Sequence, residues 1–237
     1  MAAIRTARER AREELTREIK AEARRQLGVE GAQKLSLRAV ARELGMVSSA
    51  LYRYFPSRDD LLTALIIDAY NALGDRVDAA VAAAPADDVR ARWAALCNAA
   101  RSWAIASPHE YALVYGTPVP GYTAPQETVA PAARVPLAVM AMLGDNVGGF
   151  RLETAPRPLR GLLAQQMADL AALIAPDLNP VLLARSMAAW AQVFGLISFE
   201  LFGQFVGSAE PADGLFAYSV EDLADHLGLA VGAEHRP

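Results

Sequence analysis

Apolar residues recur at helical spacing along most of this chain, and no stretch alternates polar and apolar in the manner of a strand. Residues 5–27 are rich in Arg, Glu and Ala, with a sparse stripe of Leu15, Ile19, Ala23 and Leu27 at i, i+4 spacing. Gly28 and Gly31 are expected to end that helix. A second helix should begin at Ser36, a good N-cap, and run to Leu44, where Gly45 breaks it. A third is predicted from about Val47 to Phe55, stopped by Pro56. A fourth opens on Ser57-Arg58-Asp59-Asp60, which has the form of a capping box with Asp in place of Glu. It carries Leu61, Leu62, Leu65, Ile66, Ala69 and Leu73 and reaches about residue 83.

Pro85 and Asp87-Asp88 mark a junction. A helix with Val89, Trp93, Leu96 and Trp103 should follow and end at Ser107-Pro108. Residues 108–136 hold six of the 14 prolines. That density predicts a short helix near 109–115, an irregular loop and a proline-interrupted helical stretch settling by Leu143. Gly144 to Pro158 reads as another loop. Helices are then predicted near 158–174, 179–205 and 215–228, before a polar tail. The predicted class is all-α, and the junction near Pro85 separates the first four helices from a larger helical part.

Composition adds three constraints. Hydrophobic residues make up 53% of the chain, much of it Ala, which suits close-packed helices and a sizeable core. The net charge of −4 hides an asymmetry: residues 1–60 carry 13 Lys/Arg against 9 Asp/Glu, while the rest carries 10 against 18. A basic end on an acidic chain is a reason to look for a nucleic-acid module there. Cys97 is the single cysteine, so no intrachain disulfide can form and a reducing cytoplasm fits. It lies in an Ala-rich helical run as a core residue or, alternatively, a redox sensor. The Arg/Glu-rich start lacks the apolar stretch of a secretory signal. The best candidate for a membrane span, Trp190 to Phe202, falls short of the roughly 20 residues one needs, and it contains Glu200.

The informative stretch is Leu35 to Leu62. Two short helices flank Gly45, and Ala41 is small enough to let them approach closely. The second of them offers Ser48, Ser49, Tyr52 and Arg53 outward while Ala50, Leu51 and Phe55 can face inward. A short, polar-faced helix of this kind fits the major groove of B-DNA, which is about 12 Å wide.

These residues resemble the TetR family of bacterial regulators over about residues 13–73, which implies an N-terminal helix-turn-helix DNA-binding domain there and a larger helical domain at 86–230. The resemblance rests on Ile19, Ala23, Leu27 and Gly31, on Leu37, Val40, Ala41 and Gly45, and on Leu51-Tyr52-Arg53-Tyr54-Phe55-Pro56-Ser57-Arg58 with Leu61-Leu62 beyond. It implies that Ser36 and Arg38 sit near backbone phosphates and that Met46, Val47, Ser48 and Ser49 enter the groove. It implies further that Tyr52 and Tyr54 contact phosphate or a thymine methyl, that Arg53 reaches a base edge or phosphate, and that Arg58 takes a phosphate role usually given to Lys. Two departures stand out: Val47, where a capping hydroxyl is usual, and Arg24, at a position that is often apolar. Each residue also has a plainer reading, in which the tyrosines pack the domain surface and Arg53 is solvated. The same holds for Arg5, Arg8, Arg10 and Arg12, which are interleaved with Glu9, Glu13 and Glu14 and read more simply as a solvated helix face than as a DNA arm.

The C-terminal part resembles the WHG-containing subgroup of TetR-like domains, through Trp103, Ser107 to Tyr111, Tyr115 to Tyr122, and Trp190 to Leu201. Trp103, His109, Tyr111, Tyr115, Tyr122, Met140, Trp190 and Phe194 are candidates to line an effector cavity, since such pockets are apolar with a few placed polar groups. Aromatics at helical spacing are equally the material of a core. No catalytic cluster, phosphate loop, metal set or cofactor motif is recognisable. The resemblance implies a homodimer joined by the helices at 179–205 and 215–228, a palindromic double-stranded DNA operator, and release by a small-molecule effector, with no membrane partner. The competing readings are a ligand-independent regulator or activator and, disfavoured by the missing catalytic constellation, an enzyme or carrier with a vestigial DNA module.

Overall fold

The computed structural model describes residues 6–144, 157–174 and 176–229, and among them it holds helices and no strand. Packing divides the described chain into two compact units. The first takes the chain up to Asn71 together with Ser107–Ala132, and the second takes Ala72–Ala106 together with the chain from Ala133. Residues 107–132, expected in the larger C-terminal domain, therefore pack with the N-terminal helices.

In the first unit α1 spans Ala7–Glu30. Thr6 caps it in a complete capping box, accepting from the Glu9 N–H while the Glu9 carboxylate accepts from the Thr6 N–H. Gly28 does not end this helix, as the sequence suggested; it lies inside it, with the His109 ring 3.0 Å from where a Cβ would stand. Gly31, at φ 79°, is the true stop. α2 (Leu37–Glu43) follows a 3-10 turn, Ala32–Lys34. Ser36 holds its N-cap position, yet its hydroxyl makes no capping bond. Gly45 turns the chain at φ 65°, a conformation that favours glycine, and the Met46 N–H donates to the Ala41 carbonyl at 2.8 Å. α3 is regular only over Ser48–Leu51, shorter than the predicted 47–55. Its continuation tightens into i→i+3 bonds, Arg53 to Ala50 and Tyr54 to Leu51, ahead of Pro56.

α4 runs from Arg58 to Ala83. At its start the Ser57 hydroxyl accepts from the Asp60 N–H and donates to the Asp60 carboxylate, a one-sided variant of the predicted box. Ile19, Ala23, Val40, Ala41, Leu51, Leu61, Leu62 and Leu65 form the core of this unit, each nearly or wholly buried. α6 (Pro108–Tyr115) packs on α1.

In the second unit α5 (Val89–Ala106), α9 (Pro180–Leu201) and α10 (Asp213–Leu227) pack on one another, and α8 (Gly161–Ile174) packs on α9. α7 (Val129–Gly144) carries Pro136 in its interior, the proline-interrupted helix expected here. Trp93 is buried and donates its indole N–H to the Val220 carbonyl at 2.9 Å. Arg101 pairs with Glu200 at 2.6 Å and Asp213 at 3.1 Å, which holds its guanidinium more firmly charged than usual. Cys97 is fully buried, and burial raises its thiol pKa well above the ordinary value, a poor setting for a redox sensor. α9 has 22 residues, so length alone no longer excludes a membrane span. Leu182, Leu183, Ala189, Val193 and Ile197 are nevertheless buried within the unit, as in a core helix. Most of the loop expected at Gly144–Pro158, and the tail from 230, lie outside the described residues.

Candidate nucleic-acid interface

Leu51 anchors the short third helix. It is fully buried, as Phe55 nearly is, and the two fix which face of the segment turns outward. That face presents Val47 at 70% exposure, Tyr52 at 42%, and the exposed Ser49 and Arg53. Met46, Ser48 and Tyr54 are half-buried along its edge. Arg38 is exposed on α2, and Ser36 is half-buried at that helix's start. Val47 occupies the N-cap of α3 and supplies no side-chain capping bond. Ser48, one position on, does not replace it.

Arg58 is engaged elsewhere. Its guanidinium donates to the carbonyls of Ala32 at 2.9 Å, Leu35 at 3.2 Å and Gln33 at 3.4 Å, so it pins the α1–α2 connection to the start of α4. A phosphate contact would compete with those bonds. Arg12, which the sequence left on a solvated face, lies over the Tyr54 ring at 5.1 Å and reaches the Arg53 carbonyl at 3.5 Å. Arg24 is no surface anomaly either: it donates to Glu110 at 2.8 Å and to Asp68 at 2.5 Å, and Lys20 also holds Asp68 at 2.7 Å. The network ties α1 to α4 and α6. Spacing could have suggested Lys20 and Arg24 as an i, i+4 pair, but not their partners 44 to 86 residues away.

The eight effector candidates divide between the units. In the first, Tyr111 is fully buried with its ring 5.2 Å from that of Tyr115, and Tyr115 meets Tyr70 edge to face at 6.0 Å. Burial and the two neighbouring phenols push the Tyr115 pKa far above its ordinary value. Tyr122 shares a hydrogen bond with Thr63 at 2.9 Å, and His109 lies against Gly28. In the second, Trp103, Met140 and Phe194 are buried. Trp190 stacks at a tilt on Phe194, 5.8 Å away, and its buried indole N–H has no acceptor among the described residues. None of the eight lines the open groove of about 730 Å³ in the second unit, which is bounded by Arg157, Arg160, Leu163, Val181, Ala184 and Arg185 among others. Among the described residues no cluster of His, Cys, Asp and Glu could hold a metal.

Residues 19–65 match the family described as bacterial regulatory proteins of the tetR family, and residues 93–223 match the tetracyclin repressor-like C-terminal domain. HTH-type transcriptional regulators of Mycobacterium bovis and Mycobacterium tuberculosis are each 41% identical to this chain over 234 residues, covering 95% of it and 95% of themselves. The crystal structure of a protein described as regulatory, SCO4313, is similar at a TM-score of 0.75 and 35% identity, over 92% of this chain and 98% of that one. The TetR family transcriptional regulator PfmR from Thermus thermophilus shares the fold at a TM-score of 0.56 and 17% identity, over 90% and 99% of the two chains. With the exposed third-helix face, its buried Leu51 anchor and a relative of 41% identity along nearly the whole length, the chain belongs to the TetR family of transcriptional regulators, all-α proteins with an N-terminal helix-turn-helix DNA-binding domain and a helical C-terminal domain, and it is not an enzyme.

Proposed function

We propose that this regulator is a homodimeric, cytoplasmic repressor that grips a palindromic operator with two copies of the 48–54 segment and leaves it when a small molecule binds the C-terminal region. The DNA-reading residues are Ser36, Arg38, Met46, Val47, Ser48, Ser49, Tyr52, Arg53 and Tyr54. The 13–73 and 86–230 division remains the functional one in this reading.

The observation that carries the homodimer is the outer face of α9 and α10. Ala188, Ala191 and Phe199 are exposed on α9, and Ala217 and Tyr218 on α10, with Tyr218 at 69%. Small residues beside large apolar ones let two helix pairs approach closely and bury area. One recognition segment makes few contacts, whereas two, set about 34–36 Å apart, meet successive major grooves on one side of the duplex. α4 continues from the first unit into the second and is the path for coupling. An effector that alters the recognition-segment spacing needs a coupling of only about 1–3 kcal/mol to release the operator. The unpaired Trp190 N–H supports an effector with an acceptor group, because a buried donor left unsatisfied costs about 1–3 kcal/mol.

One observation favours a ligand-independent regulator instead: Trp103, Tyr111 and Phe194 are packed as core. A thermal-shift screen followed by operator binding separates the two. A compound that raises the melting temperature and weakens operator binding supports release. Compounds that raise it and leave affinity unchanged support the second reading.

A further inference from the structure

The first turns of α1 and the recognition segment enclose a groove of about 340 Å³. Its rim carries Arg8, Arg12 and Arg53, and its floor includes Leu15, Met46 and Ala50. No carboxylate lines it. Of the acids nearest in sequence, Glu9 caps its own helix, Glu14 pairs with Arg17, and Glu13 does not line the groove. Arg8 and Arg53 form no ion pair among the described residues. Arg12 spends one N–H on the Arg53 carbonyl and lies over Tyr54, which leaves most of its five donors available.

Three guanidinium groups around one concavity repel each other, and nothing in the groove neutralises them. An anion seated there relieves that repulsion. The apolar floor narrows the choice, because a bare inorganic ion has no use for it. A sugar–phosphate strand does: deoxyribose packs on the Leu15–Ala50 floor while a phosphate accepts from the rim. Met46, Ala50 and Arg53 belong both to the groove and to the recognition segment, so the strand it takes is continuous with the base pairs that segment reads.

We infer that this groove seats a phosphodiester of the DNA backbone, and that Arg8 and Arg12 add a sequence-independent contact from α1 to the one made by the helix-turn-helix. The inference rests on the reading of the 48–54 segment as the DNA-contacting surface.

The full chain is titrated by fluorescence anisotropy against a mixed-sequence duplex at a series of potassium chloride concentrations. Arg8→Ala is compared with Arg10→Ala, which removes the same charge from an exposed position of the same helix that does not line the groove. Both are expected to keep the melting temperature of the unaltered chain. Arg8→Ala should lower the magnitude of the slope of log K against log salt by about 0.9 per bound chain, the signature of one lost phosphate contact. Arg10→Ala should change it by less than half as much, and Arg8→Lys should restore most of it. Equal slopes for the unaltered chain and Arg8→Ala, or equal losses in Arg8→Ala and Arg10→Ala, overturn the inference while leaving the helix-turn-helix reading intact. Failure of the unaltered chain to bind duplex at low salt overturns both.

Discussion

At the scale of single residues, two side chains near the recognition segment decide how firmly it is held. Val47 sits where an N-cap acceptor would satisfy one of the first N–H groups of α3, and it has none to offer. Val47→Thr keeps the branched shape and adds the oxygen, so it should stabilise the first unit by about 0.5–1 kcal/mol, read as a higher melting temperature. No rise would show that the turn geometry, rather than the missing hydroxyl, limits this helix. Arg58 has the opposite character, since three carbonyls depend on its planar fork. Lys carries the same charge as a single point and cannot bridge them, so Arg58→Lys should destabilise by about 1 kcal/mol. An unchanged denaturation midpoint would mean those bonds exchange freely with water. The tyrosines give a pH test. Burial raises the pKa of Tyr115, and that of Tyr70 to a lesser degree, so the folded state keeps protons that the unfolded chain releases above about pH 10. The stabilisation is complete below that pH and is lost as pH climbs through the folded pKa values. Tyr115→Phe should flatten the alkaline fall in stability; the same fall in the variant would assign it to other groups.

At the scale of elements, most helix ends were readable because they are local. Gly45, Pro56, Ser57 and Asn179 act within a turn of their own position, and the helices stop or start where they stand. Gly28 misled because glycine both ends helices and makes room, and here His109, 81 positions on, needs the room. The recognition helix was legible in place but not in length: Pro56 restricts Phe55, and the preceding turn tightens to i→i+3 bonding. The Lys20–Arg24–Asp68–Glu110 network was beyond the sequence because its spacing is tertiary. Its side chains are all partly exposed, so solvent screens it. A double-mutant cycle on Arg24→Ala and Asp68→Ala should give a coupling of about 0.5–1 kcal/mol. Zero coupling would make the polar face of α1 a matter of solubility alone. The candidate interface was legible for the same reason as the helix ends, since Ser49, Tyr52 and Arg53 follow from one buried Leu51. The α1 groove was not, since it needs a surface from residues 8–15 beside one from 46–54.

At the scale of the whole molecule, a basic first quarter on an acidic chain gives the DNA-binding end a local field that the net charge conceals. In the proposed function the outer face of α9 and α10 joins two copies of the chain. Ala188→Glu with Tyr218→Glu should convert a dimer to monomers by sedimentation, without loss of helix content, and should weaken operator binding far more than it weakens folding. A protein already monomeric before substitution would leave each chain to bind its half-site alone. Arg53 and Tyr52 then carry the account, because they stand exposed on the segment that the family's DNA-binding domain presents. The most direct test is anisotropy titration of the full chain and of Arg53→Ala on the duplex from upstream of its own gene. The account predicts tight binding that falls steeply with salt, and a loss of about 1–3 kcal/mol in the variant at an unchanged melting temperature. Equal binding by the two proteins, or none by the unaltered chain, would contradict it.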